Sequence, residues 1–199
     1  MNTLIINTAF DNADYIVLKN DIAYSKKADY TCKHSESALV FVAELLDNAQ
    51  LEIKDIDIFA VNIGPGSFTG IRIGVALVKG FLCGLDNKKL ITFDSFEPIA
   101  YANKNIINVI IPASRDDYYA CSCESGKVID RFILENEQAQ NLENAITFNC
   151  DYNVQDLINL IQFKIQNGDF CDINNANPLY LKLSQAEKEL LKKENNNVD

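Results

Sequence analysis

Hydrophobic positions along this chain follow two periods in turn, and each change of period marks an element. Residues 3–8 make a β-rich apolar run, and 14–19 with 21–25 read as a hairpin closing at Asn20-Asp21. Over 35–49 the period lengthens. At 100° per residue, Ala38, Leu39, Phe41, Val42, Leu45, Leu46 and Ala49 gather on one broad face, with Glu36, Glu44 and Asp47 opposite. Ser35 is placed to cap this helix, with Glu36 favourably set against its dipole. A buried strand follows at Ile56–Ile63, then a glycine-rich turn and a second helix at about 67–85. Lys89–Thr92 reads as a short strand and Ser95–Ala102 as a helix capped by Ser95.

From residue 107 the pattern starts again. Asn108–Ala113 matches the first strand, Tyr118–Cys123 and Val128–Leu134 form a hairpin around Glu124-Ser125-Gly126, and a weaker helix covers about 137–144. A strand at Ala145–Cys150 and an amphipathic helix at Val154–Gln166 complete it. The order β-β-β-α-β-α therefore occurs twice. Ile5-Ile6-Asn7-Thr8-Ala9 lies over Ile110-Ile111-Pro112-Ala113-Ser114, each followed by a polar turn and a tyrosine-led strand. Duplication of one α/β unit is the reading taken here, and two unrelated α/β halves the alternative. The predicted division is an N-terminal lobe over 1–104, a C-terminal lobe over 105–183 and a charged tail over 184–199. Ser184–Glu194 reads as a solvated helix with Asn195–Asn197 fraying, a docking tail being the second choice.

Composition narrows the class. None of the apolar runs approaches the roughly 18–20 residues of a membrane span, and Met1–Ile6 lacks the basic start of a signal peptide. A soluble cytoplasmic protein is expected, with no membrane contact. The net charge of −10 disfavours direct, extensive binding of nucleic acid, although a partner could supply basic surface. The six cysteines (Cys32, Cys83, Cys121, Cys123, Cys150, Cys171) read as reduced thiols in such a setting. Cys121 and Cys123, two apart on a strand, face one way but would need further ligands to hold a metal.

Six of the eight glycines fall between positions 64 and 84. Gly64-Pro65-Gly66-Ser67-Phe68-Thr69-Gly70-Ile71-Arg72-Ile73-Gly74 carries a strand into a helix, the arrangement that offers free N–H groups to an anion. An anion contact would use Gly66, Ser67, Thr69 and Arg72. The spacing fits neither a P-loop, which needs Lys-Ser/Thr after its last glycine, nor the GxGxxG of a Rossmann loop. The alternative is a tight turn capped by Ser67 or Thr69. Further along, Gly70, Gly74, Gly80 and Gly84 share an arc of roughly 120° with Ile73, Leu77 and Phe81. Ile71, Val75, Val78, Leu82 and Leu85 form a second apolar arc. Each interior glycine costs about 1 kcal/mol against alanine, so close approach of another backbone is the expected return. A helix sandwiched between its own sheet and a neighbour meets that condition, and one with both faces internal is the alternative.

The eleven residues 64–74 resemble the signature of the TsaB (YeaZ) family of bacterial tRNA threonylcarbamoyladenosine biosynthesis proteins. Leu4–Ala9, His34-Ser35, Ile56–Ile63, Phe93-Asp94-Ser95, Pro112–Tyr119 and Pro178-Leu179-Tyr180-Leu181-Lys182 are similar to further family segments, whereas 124–170 is weakly matched. The resemblance implies an actin-like (ASKHA) α/β fold of two RNase H-like lobes, the second one trimmed. It implies a non-catalytic scaffold that pairs with the catalytic subunit TsaD through its first two helices and recruits the ATPase TsaE. The assembly then transfers threonylcarbamoyl to N6 of adenosine 37 in tRNAs reading ANN codons, with tRNA reached only through the complex. Alone, such a chain forms a homodimer through the same surface. The interface so implied comprises His34, Ala38, Leu39, Val42, Leu46, Gly70, Ile73, Gly74, Leu77 and Phe81. No cofactor of its own is implied: ATP, magnesium and zinc or iron belong to the partners.

The residues agree with a chain that performs no chemistry. Active members of the wider superfamily carry Asp in the first strand's phosphate loop, where this chain reads Ile6-Asn7-Thr8-Ala9. Asn7 lacks the charge to hold Mg²⁺ or act as a base. The single histidine, His34, cannot supply the two that TsaD sets one helical turn apart, nor a Ser/His/Asp set. The competing expectation is an actin-like ATPase or sugar-kinase-type phosphotransferase using the Gly64–Gly70 loop.

Overall fold

The computed structural model describes residues 1–28, 34–114 and 116–182, with only the backbone of 34–36. The expected tail helix, its fraying end and Cys32 lie outside the described residues.

β1 (Asn2–Asn7) is flanked by β2 (Asp14–Lys19), which continues into β3 (Ile22–Lys27), and on its other side by β4 (Ile58–Asn62) and β5 (Lys89–Phe93). The sheet order is β3-β2-β1-β4-β5, antiparallel through the hairpin and parallel from β1 to β5. β1 and β4 are buried along nearly their whole length, as a parallel strand covered on both faces requires. α1 (His34–Asn48) lies over β2 and β3, and α2 (Phe68–Cys83) over β1 and β4, so the two helices share one face of the sheet. α3 (Glu97–Ala102) leads toward the second half of the chain.

There the order repeats as β6 (Asn108–Pro112), β7 (Asp117–Glu124), β8 (Lys127–Glu135), α4 (Asn136–Gln140), β9 (Ala145–Thr147) and α5 (Val154–Gln166). The sheet runs β8-β7-β6-β9, with β6 parallel to β9. Both lobes thus have the RNase H-like order, and the pair makes an actin-like fold. The second sheet has four strands against five, which is the form its trimming takes.

Several expectations change. α1 begins at His34, so Ser35 sits inside the helix rather than at its cap. α3 begins after Phe96, and the capping acceptor is Asp94, whose Oδ1 receives the N–H groups of Phe96 (2.8 Å) and Glu97 (3.0 Å). Ser95 is fully buried and its hydroxyl is used elsewhere. β9 stops at Thr147, three residues before the predicted end, and α4 ends at Gln140. The segment after α5, expected in the second lobe, returns to the first. Cys171 bridges Leu90 on the free edge of β5, and the Leu179 N–H donates to Ile63 O (2.7 Å).

The lobes meet through an aromatic cluster. Phe10 packs edge-on to Phe148 (5.7 Å between centroids) and against Tyr152 (5.8 Å), and all three are buried. The Tyr152 hydroxyl donates to Ser95 O (2.5 Å), and Lys164 of α5 pairs with Glu97 of α3 (2.8 Å).

Candidate functional site

Strand alternation sends neighbouring side chains of β1 to opposite faces. Ile6 faces α2, and Asn7 faces the lobe junction. Asn7 pairs in register with Asp14 on β2, and Asn62 ends β4 alongside, so three polar side chains form a row across adjacent strands. The amides of the row bond within it. The Asn7 amide donates to Asp14 Oδ2 (2.8 Å), while its oxygen accepts from the Asn62 amide (2.9 Å) and the Ala9 N–H (3.2 Å). Asn62 Oδ1 accepts from the Gly64 N–H (2.8 Å), and Ser95 Oγ donates to Pro65 O (2.7 Å). Burial pushes the Asp14 carboxyl above its ordinary range, against the opposing pull of the Asn7 amide and the Lys27 ammonium at 3.3 Å. Beside the row, Asp94 is held by Arg131, whose Nε donates at 2.7 Å.

At this junction Asn7, Asn62 and Ser95 are hydrogen-bonded within the cluster, whereas the buried Asp14 Oδ1 accepts no hydrogen bond from the described residues and faces the Lys27 ammonium at 3.3 Å. Asn62 and Asp14 were not singled out from the sequence as partners of Asn7, and Ser95 was read only as a helix cap and as part of a family segment. The available signal was that the apolar runs of β1 and β4 both end in asparagine and that β2 begins in aspartate, so parallel and hairpin register bring the three together.

The glycine loop is equally occupied. A Cβ on Gly66 would stand 2.3 Å from Ala9 O, and the Ser67 N–H donates to that same carbonyl (2.8 Å). Ser67 caps α2 by accepting from the Gly70 N–H (3.2 Å). The electronegative Ala9 carbonyl therefore sits where the anion reading of Gly66 and Ser67 placed a ligand, and the tight-turn alternative describes this loop. Thr69 is exposed at the helix start. Arg72 turns away from the loop: its Nε donates to the Tyr180 hydroxyl (2.7 Å), and its guanidinium lies over Phe68 (5.8 Å) and Tyr180 (5.5 Å).

The docking residues expected on α1 and α2 separate into two sets. Ala38, Val42 and Leu46 are buried under α1. Gly70 and Gly74 are buried as well: added Cβ atoms would stand 2.0 Å from Thr8 O and 2.4 Å from Thr8 Oγ1. These five serve the chain's own core, because the glycines let α2 press onto the end of β1, where Thr8 Oγ1 donates to Gly70 O (2.7 Å). Placing them at a partner interface is thereby corrected. Ile73, Leu77 and Phe81 are half-buried and flank the outward side of α2, and Leu39 is 61% exposed. His34 lies at the first turn of α1.

The outward surface is richer than expected in small and apolar groups. On α2 the exposed line is Arg72, Ala76 and Gly80, four residues apart each time. Gly80 has no neighbour within 4 Å of a built Cβ. On α1, Val40 is 51% exposed and Ala43 is exposed. Glu44 and Phe41 lean to the β3 side, where Lys26 pairs with the first and covers the ring of the second (4.3 Å). Leu39 and Ala43 therefore occupy the opposite flank, toward α2. The two helices together offer a shallow apolar surface with a cation at one end.

Elsewhere, the thiols of Cys121 and Cys123 face one way, 3.5 Å apart and buried, and burial pushes both pKa values up. Among the described residues no group of three or more His, Cys, Asp or Glu could hold a metal ion, and no helix is long and apolar enough to cross a membrane.

A family model described as "TsaD: tRNA N6-adenosine threonylcarbamoyltransferase" matches residues 28–164. The chain is 32% identical over 82 residues to the tRNA threonylcarbamoyladenosine biosynthesis protein TsaB of Buchnera aphidicola subsp. Schizaphis graminum, covering 41% of this chain but only 39% of that relative. It is 24% identical to the protein of the same name from Buchnera aphidicola subsp. Acyrthosiphon pisum, over 89% of this chain and 96% of that one. The crystal structure of YeaZ from Pseudomonas aeruginosa superposes with a TM-score of 0.72 at 21% identity, covering 90% of this chain and 99% of the other, which establishes a shared fold.

Proposed function

The chain belongs to the TsaB (YeaZ) family, within the wider group that the threonylcarbamoyltransferase model describes, and from that premise we propose that it acts in tRNA threonylcarbamoyladenosine biosynthesis as a non-catalytic partner of TsaD. The observation that carries this reading is the outer side of α1 and α2. Leu39 and Val40 stand in water on a face that continues through Ala76 and Gly80, with Ile73 and Leu77 beside it. Fully burying a leucine or valine side chain is worth roughly 1.5–3 kcal/mol, so leaving two exposed on one helix suits a surface that is covered in use. Small residues on the facing helix let a partner helix approach closely.

Two further observations support the absence of chemistry in this chain. The Asn7 and Asn62 amides at the lobe junction are spent internally, the first on Asp14 and the second on Asn7. An aspartate at position 7 would set a second buried carboxyl against Asp14 and lose the amide donor. Ala9 O fills the Gly66–Ser67 turn of the glycine loop, which weighs against the ATPase or phosphotransferase alternative.

On this reading ATP, magnesium and zinc or iron sit on TsaD and TsaE, tRNA is contacted through the assembly, and the same face forms a homodimer when TsaD is absent. Reconstitution tests it. Threonylcarbamoyladenosine formation on tRNA is measured with TsaD and TsaE from the same organism, with and without this chain. Formation that depends on the chain supports the role, and an undiminished rate without it refutes the role.

A further inference from the structure

Arg72 shares the polar strip of α2 with the half-buried Lys79 seven residues on, and it is held unusually firmly for an exposed side chain. Phe68 and Tyr180 stack at 4.7 Å and 18°, and the guanidinium lies within 6 Å of both rings. The Tyr180 hydroxyl fixes Nε at 2.7 Å. Tyr180 is itself anchored, because the adjoining Leu179 N–H donates to Ile63 O (2.7 Å) and Lys182 pairs with Asp117 of the second lobe. The C-terminal segment thus straps the start of α2 and sets the guanidinium in one orientation. With Nε used, the four N–H bonds of the two terminal nitrogens remain. Among the described residues no carboxylate pairs with them, in a chain that carries 28 acidic against 18 basic residues.

We propose that the strap-held Arg72 guanidinium is a recognition group that receives a carboxylate side chain of the protein docked on α1 and α2, with Tyr180 as its positioning residue. This rests on the docking role proposed above. A planar fork with fixed orientation matches a carboxylate in two parallel hydrogen bonds, and little side-chain freedom is left to lose on binding. The line continuing from Arg72 is Ala76 and Gly80, with the half-buried Lys79 the one further cation on α2, and the whole chain is acidic. A nucleic-acid backbone needs several cations in sequence. A single acidic residue at the edge of an apolar protein surface needs only this one.

The test is the affinity of the full chain for its TsaD, measured by isothermal titration at several salt concentrations without nucleotide or tRNA. Arg72→Gln should weaken binding by about 10–100-fold and flatten its salt dependence, as loss of a charge-assisted hydrogen bond predicts. Arg72→Lys, which keeps charge without the fork, should recover only part of this. Tyr180→Phe, which keeps the stack and loses the hydroxyl, should weaken binding by about 5-fold with unchanged thermal stability. If Arg72→Gln binds with unchanged affinity and salt dependence, the proposal is overturned while docking stands. An effect that arises only with ATP or tRNA present assigns the guanidinium to a phosphate and also overturns it. If the unaltered chain forms no complex at all, both this proposal and the docking role fail.

Discussion

Two glycines ten residues apart on α2 should respond to the same substitution in opposite directions. Gly70→Ala places a methyl group 2.0 Å from Thr8 O, a backbone atom at the end of a buried central strand. That carbonyl cannot swing aside, so α2 or the end of β1 must shift by more than an ångström. Such a shift disturbs the Thr8 Oγ1 to Gly70 O hydrogen bond and the Ser67 cap together. Overpacking of this kind costs about 3 kcal/mol, and in a domain of this length each kcal/mol moves Tm by roughly 2–4 °C. The expected fall is about 6–12 °C. Gly80→Ala meets nothing within 4 Å and only restricts the unfolded chain, so it should add about 0.4–1 kcal/mol and raise Tm by about 1–4 °C. Thermal unfolding followed by circular dichroism, with a urea titration for each variant, measures both. Equal shifts for the two variants, or a neutral Gly70→Ala, would refute the close approach of α2 to β1.

The same pair of residues shows how far the sequence could be read. Helical periodicity placed Gly70, Gly74, Gly80 and Gly84 on one arc; Gly84 is the C-cap beyond α2, and of the three inside the helix Gly70 and Gly74 are buried while Gly80 is exposed. What a wheel cannot tell is which part of the arc faces the chain's own sheet. That depends on Thr8, 62 positions before Gly70, whose carbonyl fills the notch at Gly70 and whose hydroxyl fills that at Gly74. The same limit misassigned Ala38, Val42 and Leu46: an apolar stripe names a buried surface without naming what buries it. The doubled β-β-β-α-β-α order was legible because each strand and helix carries its own period. The polar row was not, since Asn7, Asp14 and Asn62 each look like an ordinary strand end until register sets them side by side. Ser95 and Asp94 compete for the role of cap, and only the buried loop contact of Ser95 decides between them.

Three further outcomes are expected. Asn7→Asp sets a second buried carboxylate against Asp14 at a 2.8 Å contact, so one of the two must keep a proton. Such a raised pKa gives stability that is complete below the unfolded carboxylate pKa and lost as pH rises through the folded one. Urea titrations should therefore show a deficit of about 3–5 kcal/mol at pH 7 that shrinks toward pH 5, and a pH-independent deficit would contradict the buried row. Tyr152→Phe strips the hydroxyl from Ser95 O and should destabilise by about 1–2 kcal/mol without changing secondary structure, again by urea titration. In thiol labelling mapped by mass spectrometry, exposed Cys83 should react in the native protein, whereas Cys121 and Cys123, with pKa values pushed up by burial, should react only on unfolding.

The central claim is that the outer side of α1 and α2 is where TsaD docks, and Gly80→Arg addresses it most directly. Position 80 is exposed with open space around it, so the long side chain can be accommodated in the isolated fold and removes an interior helical glycine. At a helix–helix contact the same side chain would hold the partner away and strand a charge against apolar surface. The measurement is the dissociation constant for TsaD, beside a melting curve of the variant alone. The account predicts an undiminished Tm together with binding weakened at least about 100-fold, the scale of losing an interface hot spot. Full-affinity binding by a normally folded Gly80→Arg variant would contradict it.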